Sequence, residues 1–100
     1  MNDPEVDPSD FSNEAIRCAS FYGHLEVVKL LLNDKRVDPS DYDNFAIRYA
    51  SANVHLEVVE LLLKDNRVDP SANNNYAIRW ASRHGHLEVV KLLKEHGCKL

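Results

Sequence analysis

The string HLEVVKLLL at residues 24–32 returns as HLEVVELLL at 55–63 and as HLEVVKLLK at 86–94. In the first copy, polar residues stand only at Glu26, Lys29 and, just beyond, Asn33. Leu25, Val27, Val28, Leu30, Leu31 and Leu32 occupy most of the remaining circumference at about 3.6 residues per turn. A helix with so little polar surface needs neighbours on both sides. One copy cannot bury that surface alone, so the pattern predicts copies stacked side by side around one continuous core.

Other strings keep the same period. VDPS begins at Val6, Val37 and Val68, and AIR at Ala15, Ala46 and Ala77, a spacing of 31 residues throughout. The chain therefore divides into a lead-in, 1–5, and three units, 6–36, 37–67 and 68–100. The last unit carries a partial C-terminal cap: Lys94 replaces the Leu found at 32 and 63, and Gly97 is placed to stop the helix.

Within each unit, proline fixes φ and pushes the preceding Asp into an extended conformation, while Ser, Asp and Asn offer local hydrogen bonds. An extended finger is expected there. Asn13, Asn44 and Asn75 then stand at the N-cap of a first helix, which in the middle copy spans about residues 45–53. On that helix Ala46, Ile47, Ala50 and Ser51 are the same in all three copies and share one arc. Positions 45, 49, 52 and 53 change in every copy and share the opposite arc. Gly23 and Gly85 are placed as left-handed C-caps. Val54 stands at the equivalent position, and a β-branched residue is strained at positive φ, so Asn53 is expected to take the unusual angles or the middle turn to differ.

Composition removes several function classes. A chain with 44% hydrophobic residues and 100 residues in all makes one domain without help from metals or disulfides. Its net charge of -4 lacks the basic face of a phosphate-backbone binder, so no nucleic acid is expected. Apolar runs reach only three residues, so no membrane span is expected, and the start MNDPEVDP does not read as a secretory signal. A cytoplasmic setting follows. Cys18 and Cys98 lie about two helical layers apart, too far for a disulfide, so both are expected as free thiols, Cys98 being the one able to cross-link dimers on oxidation.

AIRxAS, then Gly, then HLEVVKLLL resembles the ankyrin repeat, whose usual unit has about 33 residues and the first-helix motif TPLHxA. The resemblance covers residues 6–97. It departs in three places. Glu14-Ala15, Phe45-Ala46 and Tyr76-Ala77 replace Thr-Pro; Arg17, Arg48 and Arg79 replace the motif His; and two residues are missing per unit, one from the finger and one from the loop after the second helix. The fold so implied is all-α, an ankyrin-type solenoid of three stacked helix-turn-helix units with finger loops. The resemblance further implies binding of other proteins through the finger tips and the concave first-helix face, and no enzymatic activity.

Comparing the copies also separates framework from surface. All eight aromatic residues, Phe11, Phe21, Tyr22, Tyr42, Phe45, Tyr49, Tyr76 and Trp80, occupy positions that differ between copies. Phe45 with Tyr49 and Tyr76 with Trp80 are i, i+4 pairs on successive first helices, which predicts a two-by-two aromatic cluster. Such residues suit binding hot spots, offering large contact area with little rotamer entropy to lose. Glu14 and Cys18 are the first-copy counterparts of these pairs, Arg83 and His84 extend the patch in the third copy, and Asp41 and Asp43 on the finger would meet a basic rim on a partner.

The remaining candidates recur with the period and read as structure. His24, His55 and His86 are expected to bond between loops. His84 and His96 have no Cys or carboxylate at ligand spacing, so neither a metal nor a cofactor is expected. Ser20, Ser51 and Ser82 offer no asymmetric hydrolase set. Arg17, Arg48 and Arg79 form a ladder tying helix starts to neighbouring Asp or carbonyl groups. The expectation is a non-enzymatic protein-protein recognition module. The alternative is an engineered or excised repeat scaffold with no dedicated ligand, self-associating through repeat ends of which the first is unusually apolar.

Overall fold

Short apolar helices alternate with longer mixed ones in the computed structural model, which describes residues 8–100, with side chains from residue 12 onward. The helices are α1 (Pro8–Tyr22), α2 (Leu25–Leu32), α3 (Asp41–Ala52), α4 (Leu56–Leu63), α5 (Ala72–Arg83) and α6 (Leu87–Glu95), with no strand among the described residues. The lead-in 1–5 and the side chain of Phe11 lie outside the described residues. Odd helices form one layer, α1 on α3 and α3 on α5; even helices form the other, α2 on α4 and α4 on α6. The resulting row measures 45 × 25 × 22 Å.

Its core is a ladder of repeated letters. Ile16, Ile47 and Ile78 are fully buried, as are Val28, Val59, Leu62 and Leu93. Each contributes roughly 1.5–3 kcal/mol by leaving water. An eight-residue helix such as α2 or α4 is not stable in isolation, so this shared burial is what holds it. Ala19, Ala50 and Ala81, also buried, let the odd helices approach closely.

The finger differs from the extended form expected. Asp38 Oδ1 accepts both the Ser40 N–H (2.9 Å) and the Ser40 Oγ–H (2.6 Å), and Asp69 does the same for Ser71 at 3.0 and 2.7 Å. Beyond this turn, residues 42–44 and 73–75 run in the left-handed conformation, with φ from 53° to 61°, before each right-handed helix begins. Left-handed backbone costs a non-glycine residue about 1–2 kcal/mol, so the turn needs outside support. Arg48 supplies it, donating from Nε to Asp43 O and from Nη2 to Tyr42 O, both at 2.9 Å. Arg79 repeats the fork on Asn74 O (2.7 Å) and Asn73 O (3.2 Å). Arg17 instead pairs with the Asp41 carboxylate of the next unit.

The asparagines do not cap their own helices either. Asn13 Oδ1 accepts the Asp38 N–H at 2.7 Å and Asn44 Oδ1 the Asp69 N–H at 2.8 Å, each bond crossing to the following unit. With Asn44 itself left-handed, its side chain points on along the stack rather than back at its own first turn.

Two further expectations are corrected. Val54 takes the left-handed position itself (φ 61°), while Asn53 stays at φ -98°. The helix-closing bonds His55 N–H to Ala50 O (2.9 Å) and Val54 N–H to Ser51 O (3.3 Å) impose that geometry despite the side chain. Cys98 is buried, so it is not the thiol open to cross-linking; Cys18 is the exposed one. The chain reverses at Gly97 (φ 90°), the Cys98 N–H bonds Leu93 O at 3.1 Å, and the thiol folds back onto the core. Burial pushes that thiol above its usual pKa.

Arg36 and Arg67 bind loop carboxylates. Arg36 grips Asp34 through Nε (3.1 Å) and Nη2 (2.8 Å), and Arg67 grips Asp65 in the same way. These bonds hold the Asp34 carboxyl at about 2 and lower that of Asp65.

Candidate functional site

The arc of the odd helices that does not carry repeated letters carries rings, and they touch in one line. From the first unit the path runs Tyr22 to Phe21 (ring centroids 4.9 Å apart), Phe21 to Tyr49 (5.6 Å), Tyr49 to Tyr76 (5.7 Å) and Tyr76 to Trp80 (5.8 Å). Phe45 lies beside it, 4.4 Å from Tyr49. At the far end His84 stacks on Trp80 at 4.9 Å, and His86 follows at 6.0 Å. Phe45, Tyr49, Tyr76 and Trp80 thus lie together, and Phe21 and His84 lengthen the cluster at both ends.

These rings are neither sealed in nor fully open. Phe21, Phe45, Tyr49, Tyr76 and Trp80 are half-buried, one face against the helix layer and the other toward solvent. Beneath them lies Arg48, largely buried, with its guanidinium 5.0 Å from the Tyr76 centroid and 5.3 Å from that of Tyr49. A fork held by two carbonyls and stacked under two rings fixes the platform from below. Burial also raises the Tyr76 hydroxyl above its usual pKa.

An open groove of about 500 Å³ runs along this platform. Its walls are Phe21, Tyr49, Tyr76 and Trp80, closed at one side by Ala52 and Asn53 and at one end by His84 and His86, without a carboxylate. Asn53 Nδ2 donates to Phe21 O at 3.1 Å, and His55 Nε2–H to the same oxygen at 2.8 Å, which ties the first turn to the second. Of the three repeated histidines only His55 makes such a bond between loops among the described residues. Ala52, Asn53 and His86 are not among the partner-contact candidates read from the sequence. Positions 52 and 53 vary between copies and so carried a signal; His86 was hidden because its letter repeats.

The other candidates lie around this groove. Glu14 and Cys18 line a smaller recess of about 310 Å³ with Arg17, Tyr22 and Phe45, sharing Phe21 with the groove. Tyr42 and Asp41 stand apart on the finger. Arg17 covers the Tyr42 ring at 4.0 Å and pairs with Asp41, so both already have an intramolecular partner. Asp43 and Arg83 are exposed, and neither lines the groove.

Ser20 and Ser51 are fully buried. No group of three or more His, Cys, Asp or Glu side chains among the described residues could hold a metal ion. No described helix is long and apolar enough to cross a membrane. The groove presents half-exposed aromatic faces over the layer of odd helices.

The family model for ankyrin repeats, in three copies, matches residues 15–100. No curated protein and no solved structure matches the chain.

Proposed function

Because the chain belongs to the ankyrin-repeat family, whose members are generally protein-protein interaction modules, we propose that it recognises another protein through its first-helix face. The partner lays an extended segment along the ring path from Phe21 to Trp80, with the fingers and the Glu14/Cys18 recess contributing at the margins. Recognition is noncovalent, needs no cofactor or metal, and takes place in the cytoplasm, where free Cys18 and Cys98 remain reduced.

One observation carries this reading: five half-buried rings from three different helices form a continuous line although none of them belongs to the repeated framework. Half-burial suits a hot spot, since each ring is held in one orientation yet keeps a face to offer. His84 at the end of the groove and Arg79 and Arg83 elsewhere on α5, a helix with no acidic residue, favour an acidic stretch of partner on that side. A partner surface of about 800 Å² fits a molecule of this length.

Peptide-library selection on the native chain, repeated on a chain with Phe45, Tyr49, Tyr76 and Trp80 replaced by Ala, tests the assignment. Selected sequences should lose at least tenfold in affinity on the variant, with its helicity retained in far-UV circular dichroism. Equal binding to both chains removes the ring face from consideration.

A further inference from the structure

The 31-residue period lets each surface of an end unit be compared with the same surface inside the stack. On the side of the second helix that faces the preceding unit, Val27 is 45% exposed, whereas its counterparts Val58 and Val89 are 2% and 1% exposed. Leu30 is 72% exposed, while its counterparts Leu61 and Leu92 pack against the core. On the opposite side the pattern reverses. Leu87 of α6 is 76% exposed, while Leu25 and Leu56 pack against the core. What covers these positions inside the molecule is on view: α2 covers α4, and α4 covers α6.

One polar group at the α5–α6 end is unfinished in the same sense. Asn13 and Asn44 each receive an N–H from the following unit, but Asn75 Oδ1 is buried and has no donor. Arg79 is not unfinished in this way: like Arg48 it holds two carbonyls of its own turn and has no carboxylate partner among the described residues. The sequence itself places Asp7 one period before Asp38, the residue that supplies its N–H to Asn13 of the first unit.

We propose that a second copy of this chain stacks head to tail on the α5–α6 end, continuing the interface already present between its units. Leu87 of one copy then lies against Val27 and Leu30 of the next, and Asn75 gains the donor that Asn13 and Asn44 have. The contact joins two different surfaces and does not close on itself, so assembly extends with concentration rather than stopping at a dimer. Lys94, where Leu32 and Leu63 stand in the other units, leaves this joint weaker than the interior ones. The ring groove takes no part, so this joint and partner recognition succeed or fail separately.

Analytical ultracentrifugation of the 100-residue chain and two variants decides the matter. The native chain should show an average mass rising above 11.4 kDa with concentration. Leu30→Glu and Leu87→Glu, both at highly exposed positions and checked for native helicity, should each stay monomeric. An equimolar mixture of the two should form a 1:1 pair that grows no further, since one retains a sound trailing face and the other a sound leading face. Tyr49→Ala should associate as the native chain does. The proposal is overturned by a native chain that remains monomeric throughout. It is equally overturned by Leu87→Glu associating normally, which would mean two α2 faces meeting, or by a mixture that forms no pair.

Discussion

The side-chain oxygen of Asn44 accepts the backbone N–H of Asp69, 25 residues further on, at 2.8 Å. Asn44 is therefore required twice, once for a side-chain acceptor and once for tolerance of φ 60°. Replacing it by Ala leaves the Asp69 N–H without its partner and puts a poor residue at positive φ. Asn44→Ala should lose about 2–3 kcal/mol in urea unfolding, while Asn44→Asp, which keeps the acceptor, should lose less than about 1 kcal/mol.

Val54 and Gly23 occupy equivalent turns with opposite consequences. Val54 is half-exposed and sits at φ 61°, so Val54→Gly relieves backbone strain and gives up little packing. It should stabilise the fold by about 1 kcal/mol, raising Tm by about 5 °C. A Cβ on Gly23 would lie 2.5 Å from Nδ1 of His55, the ring that bonds Phe21 O. Gly23→Ala should cost about 2 kcal/mol, read as a lower urea midpoint at unchanged slope.

Arg48 and Arg79 test the support of the left-handed turn. Lysine keeps the charge but not the planar fork that reaches two carbonyls at once. Arg48→Lys should destabilise by about 2 kcal/mol, because the site is largely buried and stacked under Tyr49 and Tyr76. Arg79→Lys, exposed and with one bond at 3.2 Å, should cost less than about 1 kcal/mol. A reversed order of the two would remove the fork as the reason for arginine here.

The two cysteines should separate cleanly. In the folded chain a thiol reagent should modify Cys18 quickly and Cys98 only as the molecule opens, so Cys18→Ser abolishes the fast phase. The raised pKa of Cys98 also has a sign in stability. The folded state keeps this proton where the unfolded chain has lost it, so the contribution is complete below about pH 9, the ordinary thiol value, and is lost as pH rises through the folded value. Tm measured from pH 8 upward should fall less steeply for Cys98→Ala than for the native chain.

Sequence alone determined the architecture: the 31-residue period, the all-helical class, the buried ladder of Ile16, Ile47 and Ile78, and the identity of the variable positions as a common arc. Such features are legible because helical periodicity turns a list of letters into faces, and because repetition in one chain shows which letters packing holds constant. Tertiary structure decided what each polar residue of a turn bonds to. Asn44 reaches the next unit instead of capping its own helix, Arg48 gathers the carbonyls of a left-handed turn, and Val54 accepts the strained angles. Cys98 turns inward for the same kind of reason. A polar group commits to whichever partner the folded chain brings within about 3 Å, and for Asn44 that partner lies one unit away, at a distance that no local pattern of letters encodes.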